Sequence, residues 1–131
     1  GKLDEAEEMY QRALQGKEKA WGPDHTSTLD TVNNLGNLYA DQGKLDEVEE
    51  MYQRALQGYE KALGSVLIIT YVPALNTAEN LAMLLSQIGR VGEAKELYLR
   101  AQHGIEIVFG YQSRRYQDLA IALAGLGTDE S

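Results

Sequence analysis

Two histidines, His25 and His103, and no cysteine are all the imidazole and thiol chemistry that the 131 residues carry. A helical zinc pair needs a second histidine one turn along, and neither has one, so each reads as a local hydrogen-bonding residue. Adjacent carboxylates such as Glu7-Glu8 and Glu49-Glu50 have the atoms for acid–base work. Such work needs burial or a fixed charge to pull two pKa values apart, and these pairs sit in repetitive, acid-rich, solvated stretches. Gly125-Leu126-Gly127 ends a helical pattern instead of joining a strand to one, and neither a Walker lysine pattern nor a nucleophile elbow occurs. The sequence therefore nominates no catalytic residue, no metal site and no cofactor, and reads as a non-enzyme.

Asparagine is the residue type whose spacing points to recognition. With Leu29 set at zero and ~100° added per helical residue, Val32, Leu35, Gly36, Leu38 and Tyr39 cover one half of the wheel. Asp30, Asn33, Asn34, Asn37 and Asp41 gather in a polar strip beside them. Asparagine suits a helix interior poorly, at about half a kcal/mol each, because its amide competes for backbone hydrogen bonds. The same amide offers a donor and an acceptor, the complement of a peptide N–H and C=O, so a ladder of them can hold an extended chain. Matching positions further along are Asn76, Glu79, Asn80, Met83 and Gln87, then Arg114, Gln117, Asp118 and Ile121. Asp30, Asp41, Glu79 and Asp118 against Arg114 leave the strip acidic, which favours a neutral or basic protein or peptide segment. Two plainer readings stand beside this one: the strip is only solvated, or its amides bond between adjacent helices.

These positions are set by an internal repeat. Residues 1–16, GKLDEAEEMYQRALQG, return as residues 43–58 with the single change of Ala6 to Val48. Extending the match to Gly22 and Gly64 adds only Lys17 against Tyr59 and Trp21 against Leu63. A weaker third copy starts at Gly89, and aligning Thr31-Val32-Asn33-Asn34-Leu35 with Thr77-Ala78-Glu79-Asn80-Leu81 places four extra residues between Gly64 and Leu75. A loop tolerates such an insertion. A fourth, partial copy aligns Asp118-Leu119-Ala120 with Asn34-Leu35-Gly36, and Gly127 with Gly43. Repeats of ~20 to 50 residues bury their apolar faces by stacking on their neighbours.

Within a copy the period is helical. Leu3, Ala6, Met9, Tyr10, Ala13 and Leu14 recur at three- and four-residue spacings, and Leu45, Val48, Met51, Tyr52, Ala55 and Leu56 repeat them. Asp4, Glu5, Glu7 and Glu8 crowd the first turns, where acids favour the positive end of the helix dipole. Gly22-Pro23-Asp24 signals a turn, Ser27 with Asp30 suggests a capping box, and Gly43 suits a left-handed C-cap. The pattern predicts six helices, at 2–21, 28–42, 45–63, 74–88, 91–109 and 114–126, and no strand.

Asn34-Leu35-Gly36-Asn37-Leu38-Tyr39 followed by Gly43, Leu45, Glu47, Tyr52, Ala55 and Leu56 resembles the tetratricopeptide repeat. The long period, the tail Glu60-Lys61-Ala62-Leu63-Gly64 and the phrase Gly22-Pro23-Asp24-His25 resemble its kinesin-light-chain-like subclass. Near-identical tandem copies are similar to the C-terminal arrays of fungal NACHT or NB-ARC receptors. The resemblance implies an all-α, right-handed superhelical solenoid of antiparallel helix hairpins: a partial unit 1–22, units at about 23–64 and 65–110, and a partial unit 111–131. It also implies that the concave face binds protein segments, which places Asp30, Asn33, Asn34, Asn37, Asp41, Asn76, Glu79, Asn80, Met83, Gln87, Arg114, Gln117 and Asp118 there. The sensor end of a nucleotide-operated receptor is one implied role. A cargo-binding segment of a kinesin light chain-like adaptor is another, and a structural or oligomerisation module a third. Val48 in place of a small alanine, and Ser65-Val66-Leu67-Ile68 in place of the usual turn, depart from the pattern.

Composition bounds the partners. With 12 Lys and Arg against 20 Asp and Glu the net charge is −8, which disfavours nucleic acid and anionic lipid. No apolar run approaches the ~20 residues of a membrane helix. The absence of cysteine fits the cytoplasm. The first residue is Gly1, which reads as a segment of a longer protein. Leu67, Ile68, Ile69, Tyr71 and Val72 form an uncharged, β-branched stretch where a polar turn is expected. It reads as an exposed partner-binding or self-association patch or an aggregation hazard, or else Val66 to Ile69 extends or covers the preceding helix and is mostly buried. Open repeat ends are a second route to homo-oligomers.

Overall fold

A computed structural model describes residues 1–126, and Gly127 lies outside the described residues. Six α-helices follow in chain order: α1 (Lys2–Trp21), α2 (Thr26–Gln42), α3 (Leu45–Leu67), α4 (Val72–Gln87), α5 (Val91–Phe109) and α6 (Arg114–Ala124). A 3-10 turn, Ile68–Thr70, precedes α4, and there is no strand among the described residues. The chain divides into two compact units, Gly1–Gly64 and Ser65–Ser131. The division falls where α3 leaves helical geometry, at Gly64 with φ +85° and ψ 170°. An L side chain is strained at that φ, and glycine is not. Among the described residues no single helix is long and apolar enough to cross a membrane.

In the first unit α2 is the central element, because its apolar residues occupy two faces. Leu29, Val32, Leu35, Leu38 and Tyr39 are all buried. α1 meets it through Lys17, whose ammonium reaches Thr31 Oγ1 at 2.9 Å, and through Gln11, whose amide reaches the Tyr39 hydroxyl at 3.3 Å. On the other flank α3 buries Val48, Tyr52, Ala55, Leu56, Gly58 and Tyr59, and Arg54 of α3 pairs with Glu18 of α1. α1 contributes no fully buried residue although its sequence nearly matches that of α3. α2 closes on Gly58 and Tyr52 of α3, whereas a Cβ on Gly16, the matching position of α1, would meet nothing within 4 Å.

The start of α2 differs from the sequence expectation. His25, not Ser27, is the N-cap, its Nδ1 accepting the Ser27 N–H at 3.1 Å. Trp21 stacks on the His25 ring at 5.2 Å and holds it over the helix end. With His25 as N-cap the N3 position is Thr28, so Asp30 completes no capping box; it accepts a hydrogen bond from Tyr59 instead. Gly43 adopts the left-handed C-cap, φ +76° and ψ 16°.

In the second unit the four inserted residues do not form a polar loop. Helical backbone continues to Leu67, and the 3-10 turn then carries Ile68 into the core at 4% exposure. The turn packs so closely on α5 that a Cβ on Gly104 would lie 2.2 Å from the Ile69 carbonyl oxygen. Tyr71, in extended conformation, caps α4, and Pro73 sits in its first turn, where a missing N–H costs nothing. Ala74, Leu75, Ala78, Leu81, Ala82, Leu84 and Leu85 of α4 form the core with Ala94, Tyr98, Ala101 and Ile105 of α5 and Leu119 of α6. Ser113 caps α6, accepting the Tyr116 N–H at 3.2 Å.

Candidate functional site

The asparagine strip lies along one edge of α2, where α3 meets it. Two tyrosines, seven residues apart on α3, reach this edge: Tyr52 donates to the Asn37 amide oxygen and Tyr59 donates to the Asp30 carboxylate. Asp30 and Asn37 are therefore engaged inside the unit although each is solvent-exposed. Asp41 is exposed at the C-terminal end of the strip. Burial first, and the Asp41 charge second, push the Tyr52 hydroxyl up to about 12, so it stays a donor throughout the neutral range. Asn33 is half-buried. Asn34 is exposed, and its side chain makes no hydrogen bond to another described residue.

In the second unit the register positions are the same and the bonds differ. Ile105 stands where Tyr59 does, so no hydroxyl is there to reach Asn76. Arg115 of α6 does so instead, at 2.7 Å from Asn76 Oδ1 and 3.2 Å from Glu79 Oε1, with its guanidinium 5.9 Å from the Phe109 ring centroid. Burial, and then the Glu79 charge, raise the Tyr98 hydroxyl above its ordinary value. Met83 replaces Asn37 and is exposed, as is Gln87, while Asn80 is half-buried and makes no hydrogen bond to another described residue. On α6, Arg114, Gln117, Asp118 and Ile121 are all exposed.

Sequence reasoning chose Arg114 and passed over its neighbour Arg115, the residue that ties α6 to α4. A signal was present. Two arginines at the start of a helix oppose its dipole unless acceptors lie close by, and Asn76 and Glu79 are those acceptors. Arg114 and Arg115 balance Glu79 and Asp118, so the acidic bias read from the sequence belongs to the first unit.

The apolar stretch is split by the structure. Ile68 is buried and cannot be a contact; Val66, Leu67 and Ile69 are exposed, at 76%, 63% and 36%; Tyr71 and Val72 are half-buried. Both sequence readings treated the stretch as one body. A 3-10 turn points successive side chains to different sides, which separates them. No group of three or more His, Asp or Glu side chains among the described residues is placed to hold a metal ion.

Tetratricopeptide repeat models match residues 1–61 and 74–115. The fold is similar to that of BtubC (BKLC) from P. vanneervenii, a kinesin light chain-like protein, with a TM-score of 0.81 and 20% sequence identity. That likeness covers 96% of this chain and 49% of the other, so the chain spans about half the length of that protein, and at this identity it shows the fold alone. No curated protein matches the sequence as a relative. Tetratricopeptide repeats mark a protein-interaction scaffold, a family that is typically non-catalytic. The helix hairpins, their repeat and the two model matches agree: the chain belongs to the tetratricopeptide repeat family.

Proposed function

We propose that each unit docks an extended segment of a partner protein without chemistry, the first through α2 and the second through α4 with α6. The observation that carries this reading is the contrast at one register position. Asn34 and Asn80 correspond in the two repeats, and both leave their amides unbonded among the described residues, whereas Asp30, Asn37, Asn76 and Glu79 around them are engaged. An unbonded amide at the edge of a packed helix is a ready donor and acceptor for a peptide backbone. Specificity then falls to Asp41 in the first unit, which favours a basic segment, and to Met83, Gln87, Gln117 and Asp118 in the second. Zero cysteines and near-identical tandem copies support a cytoplasmic receptor of the fungal NACHT type as the parent protein, with this segment at its sensor end.

Panning a displayed library of unstructured peptides against the chain tests the reading. Binders recovered this way should lose about tenfold or more in affinity when Asn34→Ala and Asn80→Ala are combined, as two hydrogen bonds of ~1 kcal/mol each require. Helicity should be unchanged. Undiminished affinity removes the two amides from recognition.

The exposed Val66, Leu67 and Ile69 support a second reading, in which copies of the chain associate through this segment.

A further inference from the structure

One position is filled by the chain itself in the second unit and left open in the first. Gly58 and Gly104 correspond in the two repeats, and a leucine of the preceding helix presses on each, Leu29 on the one and Leu75 on the other. At Gly104 the inserted 3-10 turn adds a second contact, its Ile69 carbonyl oxygen lying 2.2 Å from where a Cβ would stand. At Gly58 the three nearest atoms all belong to Leu29. Here the connection before α2 is shorter, and an open pocket of about 440 Å³ lies between Asp24 and the face of α3 that carries Gln53, Arg54, Gln57, Gly58 and Lys61. At ~100° per residue, Gln53, Arg54, Gln57 and Lys61 centre roughly opposite Tyr52 and Tyr59 on α3. The pocket therefore faces away from the asparagine strip.

We propose that this pocket of the first unit binds a polar turn of a partner protein, seated beside Gly58 as the inserted turn is seated beside Gly104. Wall and occupant match in the second unit: the turn there is Ile68-Ile69-Thr70, and Leu99 and Ile107 stand where Gln53 and Lys61 do. In the first unit that wall is polar, and an aliphatic guest would strand its groups without partners. Gln57 makes no hydrogen bond to another described residue, so its amide has a donor and an acceptor to offer a guest backbone. Both cations of the wall already have a carboxylate: Lys61 lies 3.0 Å from Asp24, and Arg54 pairs with Glu18. With Asp24 and Glu50 set against Arg54 and Lys61 the lining is neutral, so the guest it suits is polar and carries no net charge. A volume of about 440 Å³ is within the ~300–1,000 Å³ of ligand pockets.

The probes are short, disulfide-closed peptide turns recovered by panning a displayed library against the chain. Recovered turns are polar, and Gln57→Ala, at an exposed position, weakens them about fivefold or more, the loss expected for one or two hydrogen bonds. Gln53→Cys places a single thiol in a chain that has none, and a saturating turn slows its alkylation by iodoacetamide several-fold. Gln53→Leu with Lys61→Ile, the residues of the second unit, shifts the selected turns from polar to aliphatic. Asn34→Ala with Asn80→Ala leaves turn binding unchanged, which separates this site from the strip. The proposal is overturned if no turn is recovered, if the recovered turns ignore Gln57→Ala or leave the introduced thiol equally reactive, or if the exchanged wall selects the same turns. It is overturned equally if the thiol is protected in the chain alone and freed on dilution, since a second copy is then the occupant.

Discussion

Gly104→Ala isolates the contact that turns the four-residue insertion into structure. On an open helix face the change gains ~0.5–1 kcal/mol from helix propensity. At Gly104 the new Cβ would stand 2.2 Å from the Ile69 carbonyl oxygen and 2.6 and 2.8 Å from the Leu75 methyls. Carbon and oxygen settle at about 3.3–3.6 Å, so the gap must open by roughly 1 Å. Leu75 can turn its methyls aside. The Ile69 carbonyl is backbone, and moving it withdraws Ile68, which is 4% exposed, from its seat. Overpacking of this kind costs ~1–3 kcal/mol, and full loss of an isoleucine's burial ~1.5–3 kcal/mol. Taking the upper part of the first range, a fraction of the second and subtracting the propensity gain leaves a loss of about 2–3 kcal/mol. At a urea dependence of ~1–3 kcal/mol per molar, the unfolding midpoint drops by about 1 M. Equilibrium urea unfolding followed by circular dichroism reads it, and hydrogen exchange of the amides at 68–71 locates it. A midpoint unchanged or raised would refute the close approach of the turn to α5.

Two other expectations concern single side chains. Tyr52 ionises near pH 10 when unfolded and at about 12 when folded, so the unfolded chain releases its proton first. Its contribution is complete below about pH 10 and disappears as pH rises towards about 12; Tyr52→Phe should flatten that part of the alkaline unfolding profile, followed by tyrosinate absorbance. Leu67→Asp should leave helicity intact, because Leu67 is 63% exposed, and should lower the apparent mass in concentration-dependent light scattering if copies meet there. An unchanged mass removes self-association through this segment.

The helices and their repeat were legible because period and punctuation agree. Six apolar residues per copy recur at helical spacing, acids crowd the first turns, and Gly43 stands where a left-handed C-cap is needed. What stayed hidden depends on partners distant in sequence. His25 as N-cap requires Trp21 to stack on it, and no local rule ranks histidine above the serine two residues later. Asp30 looked like part of a capping box because it stands three residues after Ser27, and its actual bond, to Tyr59, spans 29 residues. The stretch after Gly64 looked like a patch because composition cannot show that a 3-10 turn buries Ile68 and leaves Leu67 out. Arg115 escaped for the same reason: its acceptors Asn76 and Glu79 lie two helices earlier.

The engaged residues also narrow where recognition can reside. Asp30 and Asn76 share a register position and are both held from inside, one by a tyrosine of α3 and one by an arginine of α6. The bond persists while the residues that make it change, so this position serves to fix the edge of the strip. Four residues on, Asn34, Asn80 and Asp118 share the next register position. None of the three makes a hydrogen bond to another described residue, and in the last the amide has become a carboxylate. A position needed for packing would show the reverse, an internal bond in every copy. α1 and the first part of α3 differ at a single residue over sixteen, so their matched surfaces cannot tell one partner from another. On the extended-segment docking proposed above, discrimination between partners comes from the polar edges of α2, α4 and α6. On the same proposal, the change from Asn80 to Asp118 alters what that position would accept, from a backbone carbonyl or amide to a donor or a cation.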